Sequence, residues 1–89
     1  MHELSIAMEV CQMAEDRLGA DALPRIVSIG LTIGDDSGIE PGNLEFCLEA
    51  LLRHPPFRSA RAVIDRCAGD ALRLDYLEVD DERPADRGS

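Results

Sequence analysis

Between Arg25 and Gly34, the apolar residues Val27, Ile29, Leu31 and Ile33 alternate with Ser28, Gly30 and Thr32. This period of two predicts a strand with one apolar face that must be covered. The other face is small and polar, open to solvent or to another chain. The chain has 89 residues, so one domain is expected. A domain of that size buries a modest share of its surface and is marginal unless it packs well or oligomerises. Aromatic residues are limited to Phe46, Phe57 and Tyr76, so the cover must be aliphatic.

Helical stripes on either side of the strand can supply that cover. Over residues 3–18, Leu4, Ala7, Cys11, Ala14 and Leu18 form one row, joined by Ile6, Val10 and Met13. Glu9, Gln12, Glu15, Asp16 and Arg17 fill the opposite face, and Gly19 can end the helix in the left-handed conformation. After the loop Asp35-Asp36-Ser37-Gly38, Pro41 suits the first turn of a second helix, where its missing N–H costs nothing. Glu40 stands just before it and favours the positive helix end. Leu44, Cys47, Leu48, Leu51 and Leu52 form the second stripe, which Pro55-Pro56 stops.

Ala60, Ala62 and Ile64 alternate in a second strand. Leu72 and Leu74, then Leu77 and Val79, mark a third. The alternation slips by one residue between Leu74 and Leu77, and a β-bulge near Asp75-Tyr76 would restore the inward face. The connection Arg66–Ala71 is short, so these two strands are predicted to pair as an antiparallel hairpin. The fold class is therefore α+β, in the order α-β-α-β-β: a three-stranded sheet with two helices packed on one face. The domain spans residues 1–80. Residues 81–89 are charged, contain Pro84 and Gly88, and are expected to form a disordered tail.

The net charge of −9 argues against nucleic acid, which needs a basic face. No apolar run approaches the roughly 20 residues that span a bilayer, and no secretory leader is visible. The three cysteines, Cys11, Cys47 and Cys67, lie far apart and form no Cys-x-x-Cys pair. Cys11 and Cys47 fall within apolar helical patterns, as small buried hydrophobes do. Free thiols fit a reducing cytoplasm. No nucleophile–base or phosphate-loop arrangement appears, so no enzyme is expected. His54 sits at the end of the second helix, where it favours the negative terminus, and Asp35-Asp36 reads as a solvated turn.

The first three residues carry coordination chemistry. Met1 brings an α-amino group with a reference pKa of about 7.7–8.0, so a metal can displace its proton near neutral pH. His2 adds an imidazole and a backbone amide nitrogen next door. The Glu3 amide or carboxylate can complete the set. Nitrogen donors in a plane suit Ni(II) or Cu(II). The plainer alternative is an exposed His2 and a Glu3 that complements the helix dipole.

Met1-His2-Glu3-Leu4-Ser5-Ile6-Ala7 resembles the opening of the HypA/HybF family of hydrogenase-maturation nickel metallochaperones. Ile29-Gly30-Leu31-Thr32-Ile33-Gly34, on through Ser37-Gly38-Ile39-Glu40-Pro41 to Leu44 and Phe46, is similar to the same family. So is Gly69-Asp70-Ala71-Leu72-Arg73-Leu74 followed by Leu77-Glu78-Val79. The resemblance implies a nickel-binding domain of two helices and a three-stranded sheet, with ligands at Met1, His2 and Glu3. It also implies delivery of Ni(II) to a hydrogenase large-subunit precursor, or to urease, together with a maturation GTPase. Glu40 matches an acidic position of the family pattern.

The family inserts a zinc domain with two Cys-x-x-Cys pairs between its last two strands. Here Ile64-Asp65-Arg66-Cys67-Ala68-Gly69-Asp70 runs directly across that gap. Cys67 alone cannot close a four-ligand zinc site, so no structural zinc is expected. A natural zinc-free paralogue and a shortened form fit this departure equally. The functional alternative is a metal-free interaction module that assists hydrogenase assembly. A weak homodimer is also expected, with a population that rises with ionic strength as the net charge is screened.

Overall fold

The computed structural model describes residues 3–80; Met1, His2 and residues 81–89, with the expected tail, lie outside the described residues. The elements are α1 (Glu3–Leu18), a 3₁₀ helix (Ala20–Arg25), β1 (Ile26–Gly34), α2 (Pro41–Leu52), β2 (Arg61–Cys67) and β3 (Leu72–Val79). Two α-helices and a mixed three-stranded sheet make an α+β fold. The 3₁₀ helix was not anticipated. It seats Ala22, Leu23 and Pro24 in buried positions directly after Gly19, whose φ of 85° ends α1.

One core joins the layers. It takes Ile6, Ala7, Val10 and Ala14 from α1, and Leu44, Leu48 and Leu52 from α2. The sheet adds Ile29, Leu31, Ile33, Ala62 and Leu74. Each fully buried Leu or Ile contributes about 1.5–3 kcal/mol by leaving water. The α1 stripe is narrower than its sequence suggests: Leu4 is 51% exposed, and Met13 and Leu18 also face outward. Cys11 and Cys47 are half-buried at the core's margin rather than fully enclosed.

The hairpin expectation is overturned. The strand order is β2-β1-β3, so β2 and β3 never pair and both flank β1. β2 is parallel to β1, and β3 is antiparallel to it. The link at residues 68–71 must therefore cross the end of β1, a span of two strand spacings or about 9–10 Å. A short extended link reaches that far. The backbone locks it in place: Gly34 N donates to Ala71 O at 2.7 Å, Asp35 N to Cys67 O at 2.8 Å, and Asp36 N to Gly69 O at 2.7 Å. A side chain at Gly34 would collide with the Gly69 carbonyl, and Gly69 itself has φ 95°. A short link between antiparallel strands thus forms an arch here, because glycine clears the strand beneath it.

The bulge near Asp75-Tyr76 is present: Gly30 opposes Tyr76 while Leu31 opposes Leu74, leaving Asp75 as the extra residue. A second register shift lies between Ile26 and Ser28. It admits Ile26 to the core in place of Val27, which is only half-buried. The small face of β1 is not open either. Ser28 and Thr32 are buried, and the Tyr76 ring lies over Gly30, where any Cβ would strike it.

Candidate functional site

The start of α1 meets the start of α2. Glu3 opens α1, and its Oε2 accepts from the Glu40 backbone N–H at 3.1 Å. Glu40 is the N-cap of α2: its extended backbone leads into Pro41, and its Oε1 accepts from Asn43 N at 2.8 Å. The approach to this cap is set locally. Gly38 takes φ 81°, Ser37 Oγ accepts from Ile39 N at 3.2 Å, and Ile39 is buried in the core. Two carboxylates are thereby gathered at two positive helix termini, where negative charge is favoured. Of the candidate donors Met1, His2 and Glu3, only Glu3 belongs to the described residues. Sequence reasoning credited Glu40 with a helix-start role and did not foresee its tie to Glu3. Its place before Pro41 was the available signal.

The other candidates fall elsewhere. His54 follows the last turn of α2, where its N–H donates to Leu51 O at 3.2 Å. It borders an open groove of about 310 Å³ that Met8, Cys11, Leu51 and Phe57 also line. Burial pushes the Cys11 thiol up to about 11, so it stays protonated near neutral pH and is a poor metal ligand there. Asp35 pairs with Arg66 at 2.9 Å on the arch side of the sheet, so it staples a turn. Cys67 is half-buried, and its carbonyl holds Asp35 N. Among the described residues, no three His, Cys, Asp or Glu side chains converge as a metal site would require. No helix among them is long and apolar enough to cross a membrane.

Residues 1–73 match a family of metallochaperones described by hydrogenase and urease nickel incorporation. The chain belongs to that family, HypA. It is similar to the hydrogenase maturation factor HypA of Geobacter metallireducens, at 41% identity over 78% of this chain and 60% of the relative. The corresponding protein of Chlorobaculum parvum is 36% identical over 75% of this chain and 59% of its own length. That of Albidiferax ferrireducens is 37% identical over 89% and 70%. The matched part of this chain thus spans about 60% of the length of the first two relatives.

Proposed function

We propose that this chain binds one Ni(II) through the Met1 amine, the His2 amide and imidazole, and Glu3, and delivers it in the cytoplasm for hydrogenase or urease maturation. A maturation GTPase and a hydrogenase large-subunit precursor are the partners that go with this reading. The observation that carries it is the family match beginning at residue 1, on the segment that holds the nitrogen donors. The helix junction supports it. Glu3 is fixed to the Glu40 N–H, so one carboxylate of the proposed set is held at the junction of the two helix starts. A ligand set built mainly on a chain terminus has few supporting contacts, which suits a metal that must be released. The core does not depend on zinc in this reading, because three separated cysteines provide no closed site.

Isothermal titration of untagged protein tests it. About one Ni(II) per chain is expected, as one planar nitrogen set per terminus allows. His2→Ala or an N-terminal extension should abolish binding while circular dichroism stays unchanged. Full affinity in either variant would remove the assignment. Absence of binding in the untagged wild type would favour the metal-free interaction module.

A further inference from the structure

The two edges of the sheet are finished differently. On β2, Glu49 of α2 reaches the outer edge, where its Oε2 accepts from Ala62 N at 3.0 Å and from Arg61 Nε at 3.3 Å. Among the described residues, no side chain engages the outer main chain of β3 in this way. Its apolar residues are also less well covered than those of β1. Leu72 is 40% and Tyr76 43% exposed, and Leu77 and Val79 are only half-buried. Unpaired edges of this kind are templates for another strand.

The sequence of β3 specifies which strand fits. Register against β1 sets Leu72, Leu74, Leu77 and Val79 toward the core side, opposite Ile33, Leu31, Ile29 and Ile26. Arg73, Tyr76 and Glu78 oppose Thr32, Gly30 and Ser28 on the other side, and Asp75 joins them by hydrogen-bonding Thr32. The bulge makes this in-out pattern symmetric about the Asp75–Tyr76 bond. A regular strand cannot pair antiparallel with itself about a two-fold axis between two residues, because opposite faces would meet. The bulged strand can. Leu72 then faces Val79, Leu74 faces Leu77, and Arg73 faces Glu78, each twice.

We propose that β3 pairs antiparallel with β3 of a second copy of this chain, making one sheet in the order β2-β1-β3-β3-β1-β2. Opposite charges directly across an antiparallel pair are favourable, and the Leu–Leu and Leu–Val pairs cover the half-exposed apolar edge. Arg73 already bonds Asp75 at 2.8 Å and Glu78 accepts from Ser28 at 2.7 Å. A guanidinium has five donors and a carboxylate two oxygens, so both retain capacity for the second copy. The contact is isologous and closes at two chains, with β2 guarded. Antiparallel pairing sends the two Glu3–Glu40 corners to opposite ends of the joint sheet. Dimerisation is therefore independent of nickel, and the proposal does not rest on the nickel reading.

Sedimentation velocity of the untagged full chain, over a range of concentrations with and without Ni(II), tests it. A reversible monomer–dimer equilibrium unaffected by Ni(II) is expected. Arg73→Glu and Glu78→Arg should each weaken it roughly tenfold or more, since both symmetry-related pairs become repulsive. The double variant Arg73→Glu/Glu78→Arg should restore it. Amide exchange on the wild type gives a readout that needs no variant to fold: β3 protection should rise with protein concentration while β2 protection does not. A monomer at every concentration overturns the proposal and leaves this edge to a different protein. So does a dimer that needs Ni(II), ignores the single swaps, or is not rescued by the double swap.

Discussion

The two faces of β1 are both buried, by opposite chemistry. Toward the helices, Ile29, Leu31 and Ile33 meet an aliphatic core and are at most 1% exposed. On the other side, Ser28 and Thr32 are nearly as inaccessible, at 6% and 7%, with no helix or second sheet above them among the described residues. Their cover comes from β3 in the same sheet: Glu78 bonds Ser28, Asp75 bonds Thr32, and Tyr76 lies across Gly30. Burial on the first face is a matter of apolar area between layers. On the second it depends on a few long side chains folded over small ones. The first should tolerate changes in salt and pH, while the second carries charge and should not.

The largest effect should come from the helix side. Leu48 is fully buried in the middle of the α2 stripe. Leu48→Ala should cost about 2–5 kcal/mol, the lost transfer energy plus a cavity. For a domain this small, that approaches the whole stability, and a melting curve would show it. A loss below about 1 kcal/mol would mean that the helix layer is not the main source of stability. On the other face, Gly30→Ala forces the Tyr76 ring aside, because the new Cβ would occupy its place. The expected cost is about 1–3 kcal/mol, as for overpacking elsewhere. Tyr76→Ala should relieve much of it in the double variant, whereas additive losses would show that the two do not share one site.

Much of this architecture was legible in the sequence. The helix stripes, the Pro41 start and the bulge at Asp75 each follow from local spacing, and each element formed where its pattern lay. Strand pairing was not legible, because a short link does not say whether a strand intervenes. The deciding residue, Gly34, looks like any strand-end glycine until the Gly69 carbonyl is placed against it. Likewise Ser28, Gly30 and Thr32 read as a face open to solvent or to another chain, since alternation reports polarity and says nothing of neighbours that reach across. At the candidate site, Glu40 was legible as a helix start. Its bond to Glu3 joins positions 37 residues apart, beyond any local pattern.

The smallest effect in the series concerns Thr32 and Asp75. The Thr32 hydroxyl, followed by the Arg73 guanidinium, holds the Asp75 carboxyl below the usual carboxylate range. A carboxylate whose folded pKa is depressed contributes stability that is fully present above its unfolded pKa, near 4. That contribution fades as pH falls through the lower folded value. Thr32→Val keeps the shape and removes the donor, which should cost about 0.5–1.5 kcal/mol at neutral pH. The difference from wild type should start to shrink below about pH 4, where Asp75 of the unfolded chain takes up a proton, and close once pH falls below the lower folded value. Glu49 is also held low, chiefly by the Ala62 N–H, so part of the acid sensitivity remains in the variant. Denaturant midpoints measured from pH 7 to pH 3 would decide it. A gap that stays constant across that range would mean that Thr32 acts by packing alone, and the polar face would then be no more pH-sensitive than the apolar one.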